Sequence, residues 1–157
     1  MLHSLPHKLR STRGASMVEF AIILPIFLIL VFGMIEFSIL FYDKAVITNA
    51  SREGARLGTM YREMRPPIQE IRDRVKSYCQ TYLITFQSGH VIGDSDIALT
   101  VNGAPYDPAT FKDGDVLNVE VRYPYTFLVF PNIAAILGGA DWRSGINLVA
   151  NSQMRGE

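Results

Sequence analysis

The hydrophobic and polar positions of this chain fall into distinct textures along its length. From Phe20 to Tyr42 the sequence reads FAIILPIFLILVFGMIEFSILFY, 23 residues of which 16 are Leu, Ile, Val or Phe and only Glu36 is charged. Almost every position is apolar, so the run predicts a helix without a polar face. At ~1.5 Å per residue it rises about 35 Å, enough to cross a hydrocarbon layer of about 30 Å. Its large apolar residues, at roughly −0.3 to −0.6 kcal/mol each, outweigh one acid at about +3 kcal/mol. Glu36 follows Glu19 by about 25 Å of helix, so the two carboxylates approach opposite interfaces. A cleavable secretory signal is the competing reading. Its apolar region runs to roughly 7–15 residues before a small-x-small site, whereas this run is longer and is closed by bulky Phe41 and Tyr42.

Beyond the span the pattern acquires a polar side. No proline occurs from Asp43 to Tyr61, so the helix is expected to continue, with Ala50, Gly54 and Gly58 at i, i+4 spacing on one face. That face suits close packing on the protein's own body, or Gly58 as a C-terminal cap, better than a helix dimer outside the membrane. Arg52, Glu53 and Arg56 form a solvated face. Arg65-Pro66-Pro67 ends the run, because both prolines lack a donor and disfavour helix before them.

A second helix is expected from Pro67, with Ile68, Ile71, Val75, Tyr78, Cys79, Tyr82 and Phe86 as its apolar stripe. Past Ser88-Gly89 the period falls to two. Asp96–Asn102 alternates partly, with Ile97, Leu99 and Val101 on one side. Val116–Tyr123 alternates more clearly, with Leu117, Val119, Val121 and Tyr123 opposing Val116, Asn118, Glu120 and Arg122, and Lys112-Asp113-Gly114-Asp115 forms a turn before it. Ile146–Gln153 reads as a last strand. Tyr125–Leu137 is apolar, interrupted by Pro131 and too short to span. It is either core cover with partial exposure, the favoured reading, or a patch for a partner or a membrane surface.

Charge sharpens this picture. Lys and Arg together number 15, as do Asp and Glu. Such balance argues against a disordered acidic tail and against a protein that binds nucleic acid by neutralising phosphates. Residues 1–16 carry Lys8, Arg10 and Arg13 and no acid. Basic residues before the span place a short N-terminus in the cytoplasm and the body outside, which in a bacterium is the periplasm. A single cysteine, Cys79, excludes an internal disulfide framework; its place in the apolar stripe makes it a buried thiol rather than an intermolecular bridge. Asp94, Asp96 and the acids of the 112–115 turn lack the ordered spacing of a calcium loop.

At the mouth of the span stands Arg13-Gly14-Ala15-Ser16-Met17-Val18-Glu19-Phe20. A carboxylate there costs energy unless something pairs with it. A cut after Gly14 would give Ala15 a free α-amine four residues upstream, and glycine suits a protease cleft. The other reading is an interfacial acid favoured by the helix dipole. On the residues alone the two stand level.

Arg13-Gly14-x-x-x-x-Glu19-Phe20, then Ala21-Ile-Ile-Leu-Pro25, then Gly33-Met-Ile-Glu36-Phe37, then Asn49-Ala50-Ser51-Arg52-Glu53-Gly54-Ala55-Arg56, resembles the TadE-like family, pseudopilins of the tight-adherence (Tad/Flp) pilus system. The resemblance is dense over about residues 13–58. Beyond them only the terminal Gln153-Met154-Arg155-Gly156-Glu157 echoes the family. It implies cleavage by a prepilin peptidase between Gly14 and Ala15, and pairing of Glu19 with the N-terminal amine of a neighbouring subunit. Phe20 takes the motif's aromatic place. Pro25, which cannot donate to the Ala21 carbonyl, implies a helix kink. Glu36 either reaches the outer interface or marks an intramembrane contact with a partner helix. The implied partners are the peptidase, other pilins and pseudopilins of the system, the assembly platform in the inner membrane, and the lipid bilayer; no nucleic acid and no cofactor is implied.

The fold expected is pilin-like α+β: a leader over 1–14, a transmembrane and extended helix over 15–60, and a periplasmic domain over 61–157 with a second helix and a small antiparallel sheet. The sequence holds no Gly-x-Ser-x-Gly elbow, phosphate loop or His-Glu-x-x-His, so no catalytic or metal residue is assigned. The function expected is that of a non-catalytic minor pilin; the alternative is an uncleaved, single-pass accessory protein whose body binds other envelope components.

Overall fold

The computed structural model describes residues 12–60, 64–85, 90–128 and 145–156. Helix α1 spans Thr12–Thr59 and is about 72 Å long at ~1.5 Å per residue. It stays α-helical through Pro25 and through both glycines of its upper part, Gly54 and Gly58. Gly58 is therefore an interior residue and not the cap. The helix end is closed instead by side chains. Arg65 Nη1 donates to the Thr59 and Met60 carbonyls, acceptors that a helix terminus leaves open, and Thr59 Oγ1 adds a bond to the Ala55 carbonyl one turn back.

Pro66 and Pro67 turn the chain into α2, Ile68–Tyr82. Ile71, Val75 and Cys79 of the expected stripe are buried, and Ile68 and Tyr78 are partly so. Tyr82 departs from expectation. It sits on the last residue of the helix, about half exposed, with its ring 4.7 Å from that of Tyr78. Phe86, placed in the same stripe, lies outside the described residues.

Four strands follow: β1 Ile97–Val101, β2 Ala104–Pro105, β3 Val116–Tyr125 and β4 Ile146–Arg155. They form one sheet in the order β2-β1-β3-β4, every neighbour antiparallel. Together with the two helices this is the α+β plan the pattern foretold. The short β2 was not foreseen. It arises because Asn102 and Gly103 both take positive φ, 51° and 86°, the backbone that a two-residue hairpin turn requires. Asn102 fastens the turn, donating to Asp115 Oδ1 and accepting from the Val116 N–H. β3 runs two residues further than Tyr123, and β4 two further than Gln153.

Alternation sets the two faces of the sheet. Leu117, Val119, Val121, Tyr123 and Tyr125 of β3, with Leu148 and Ala150 of β4, point inward and are buried. Against them α1 lays Leu40, Ile47, Ala50 and Ala55, and α2 lays Ile71, Val75 and Cys79. The expected small-residue face is used for this contact. A β-carbon on Gly54 would fall 2.5 Å from Val75 Cγ2, and one on Gly58 would fall 2.3 Å from Leu117 Cδ2. At Gly54 α1 touches α2, and at Gly58 it touches the sheet, each at a distance that only hydrogen permits. Of the apolar stretch after Tyr125, Phe127 is buried and Leu128 lies at the surface. Val129 to Leu137, and the Gly138, Gly139 and Trp142 that follow, lie outside the described residues.

Candidate membrane anchor and its junction with the body

The lower part of α1 has no protein around it among the described residues. Ile26, Phe27, Leu28, Ile29 and Leu30 are consecutive and all exposed. Five neighbours cover the whole circumference of a helix, so the surface is apolar all round. Among the described residues α1 is the one helix long and apolar enough to cross a membrane, and none of its most apolar stretch is buried. In water so much exposed Leu, Ile and Phe would have no compensation; in hydrocarbon it needs none.

Gly14, Ala15 and Glu19 lie on the first turns of α1, where Ala15 and Glu19 share a face. Glu19 and Phe20 are exposed. Pro25 lies six residues further up, within the exposed apolar part.

Glu36 is different. Its side chain is only 2% exposed, and its neighbours belong to the chain's own body. Oε1 accepts from the Leu128 N–H at 2.5 Å and lies 3.4 Å from the Tyr125 hydroxyl, which is equally near the Glu36 carbonyl. The acid thus ends the exposed rod and begins the docked one. Two turns on, Asp43 is fully buried. Its Oδ1 accepts from the Ile84 N–H just past α2, while Oδ2 has no hydrogen-bond partner. Lys44 Nζ donates to the Val149 carbonyl of β4, and Ser51 Oγ meets Ser152 Oγ at 2.7 Å in the interior. A row of polar contacts therefore runs up the docked face among the apolar ones. Sequence reasoning assigned none of Asp43, Lys44 and Ser51 a role; an acid, a base and a hydroxyl at helical spacing carry no signal until the sheet is in place.

Further from the membrane, Glu53 accepts from Arg56 Nη2 at 2.8 Å and from Arg74 Nη2 at 2.7 Å, tying α1 to α2. The Arg56 hydrogen bond, then that of Arg74, holds the Glu53 carboxyl down at about 2. Burial pushes the Cys79 thiol up to about 12, so it is a packing residue with little thiolate. The acids weighed as calcium ligands are otherwise engaged: Asp94 with Lys76 at 2.8 Å, and Asp96 with the Gly93 N–H and His90 Nε2. Among the described residues no group of three or more His, Cys, Asp or Glu side chains is placed to hold a metal ion.

An all-round apolar helix that feeds directly into a small α+β body gives a protein with one candidate membrane anchor among the described residues. The family model for TadE-like protein matches residues 14–56, from the glycine at the mouth of the span to the arginine that pairs with Glu53. The resemblance seen in the motifs is thus borne out over that stretch, 43 of the chain's 157 residues. No curated protein and no solved structure matches the chain.

Proposed function

We propose that this chain is a minor pilin, or pseudopilin, cut by a prepilin peptidase between Gly14 and Ala15 and then used as a non-catalytic structural or priming subunit in building a Tad pilus. The observation that carries the reading is the exposed apolar rod with an acid, Glu19, near its start, inside a family match that opens on Gly14. Trimming would leave the Ala15 amine and the Glu19 carboxylate at one end of the rod. When rods pack side by side, the amine of one neutralises the carboxylate of the next, which removes the cost of holding either charge in lipid. Phe20 adds an aromatic contact at that level. Pro25 frees the Ala21 carbonyl for a neighbour and lets the rod bend.

In this reading residues 1–14 are the leader, 15–60 the anchor and its extension, and 61–157 the periplasmic part. The anchor sits in the inner membrane with its N-terminus cytoplasmic until the assembly platform draws it into a filament with other pilins.

Mass analysis of the membrane-extracted protein tests the processing step. The expected chain begins at Ala15 in cells that make the peptidase, and Gly14→Leu keeps the leader attached. An intact Met1 in such cells would instead make the protein an uncleaved accessory tether. Glu19→Leu separates the next step: trimming proceeds, but the chain is lost from sheared filaments.

A further inference from the structure

Among the described residues, the lowest edge of the body sits at a known height on α1. Leu128 is held to Glu36 by its N–H, Tyr125 reaches the same residue with its hydroxyl, and Ile146 faces Tyr125 in the β3–β4 register. Gly145 lies against the Tyr125 carbonyl, where a β-carbon would approach to 2.2 Å. The end of β3 and the start of β4 are therefore level with Glu36.

On its other sides α1 remains apolar above that level. Phe37 is 48% exposed, Phe41 65% and Tyr42 44%, extending about 9 Å past Glu36 at ~1.5 Å per residue. A bilayer is a layer, so at one height everything beside the helix meets the same medium. If the boundary of the hydrocarbon runs past Phe37 and Phe41, the edge of the body opposite them stands in that boundary too.

The chemistry of that edge agrees. Leu128 and Ile146 are exposed, and neither Tyr123–Leu128 nor Gly145–Val149 contains a charged residue. The opposite pole carries Arg65, Asp107, Lys112, Asp113, Asp115 and Arg155. Tyr82 and Ile84, at the level of Asp43, are exposed as well, and Tyr is a residue of membrane–water interfaces.

We propose that this edge of the body, carrying the exposed Leu128 and Ile146, is a lipid-contacting surface seated in the headgroup–acyl boundary of the membrane that α1 crosses. It rests on the single-pass anchoring of α1, and it adds a second contact with the bilayer, made by the sheet. Such a contact fixes the tilt of the body on the membrane and sets a cost on lifting it out.

The test uses the full chain in phosphatidylcholine vesicles, with nitroxide labels at Leu128→Cys, Ile146→Cys, Ile26→Cys and Lys112→Cys. Buried Cys79 stays unlabelled. The expected result is that labels at 128 and 146 collide with oxygen severalfold more, relative to a soluble nickel complex, than the label at 112. Labels at 128 and 146 as open to nickel as that at 112, while 26 is in lipid, would overturn the proposal alone. Labels closed to both reagents would show a protein covering and overturn it too. A label at 26 open to nickel would take down the anchor and the proposal together. Leu128→Trp in a Trp142→Phe background gives a second readout: brominated lipid should quench its emission, and undiminished emission would contradict the contact.

Discussion

Helix α1 passes through two environments without a break, and its composition changes where the environment does. Between Met17 and Ile35 it spends large residues on every side and buries none of its most apolar stretch. Between Glu36 and Thr59 it spends small ones: Ala50, Ser51, Gly54, Ala55 and Gly58 face the sheet and α2. The lower part answers to a solvent, for which any apolar side chain of suitable length will serve. The upper part answers to neighbours at fixed distances. Apolar bulk is thus nearly interchangeable in one half and intolerable at particular positions in the other.

The largest break of this comparison is expected at the glycines. Gly54→Ala should destabilise the body by about 1–3 kcal/mol, an overpacking cost that exceeds the helix-propensity gain of ~1 kcal/mol. Gly58→Ala should cost less, because the Leu117 end it meets has more freedom than the β-branched Val75. Thermal melts of the detergent-solubilised chain measure both, and equal melting points for wild type and Gly54→Ala would contradict the close approach.

Next come the acids at the junction. Glu36→Leu removes the acceptor of the Leu128 N–H, and Asp43→Ala that of the Ile84 N–H; each should cost about 1–3 kcal/mol. Hydrogen exchange at those two amides should rise specifically, each with its own substitution. The Glu53 bridge should matter less, under about 1 kcal/mol for Glu53→Gln, since its Arg partners are half exposed. Its folded carboxyl titrates near 2 against a usual 4.5. Its stabilisation is therefore complete above 4.5 and lost as pH falls toward 2. An acid titration of melting temperature should be shallower over that window in Glu53→Gln. Smallest of all, Ile26→Ala should leave the melting of the body unchanged within about 0.5 kcal/mol. A loss as large as at Gly54 would mean that the lower rod is packed after all.

Much of this was legible in the residues, for identifiable reasons. A span announces itself because lipid imposes one rule on every position. The strands at Ile97, Val116 and Ile146 were visible because one face is buried and the other wet. Ala50, Gly54 and Gly58 pointed to close packing because small residues at that spacing share one face, although the same glycine at 58 also read as a cap. What stayed hidden depends on two segments meeting. Asn102-Gly103 is a strong hairpin signal, but β2 offers only Ala104 and Pro105, too few for a pattern. Glu36 read as an interface or partner-helix residue because the amide it serves is 92 positions away. Tyr82 read as core because helical spacing continues past the point where its partner surface ends.

The grip of the body on α1 has a mechanical consequence. From Glu36 upward the contact spans more than six turns of helix at ~3.6 residues per turn, with Gly54 and Gly58 locking it against slippage. Helix and sheet must then rotate as one piece. Turning the apolar rod by a single residue step, about 100°, would swing the whole body through the same arc. Whatever grips the foot of the rod thereby chooses the compass bearing of the head.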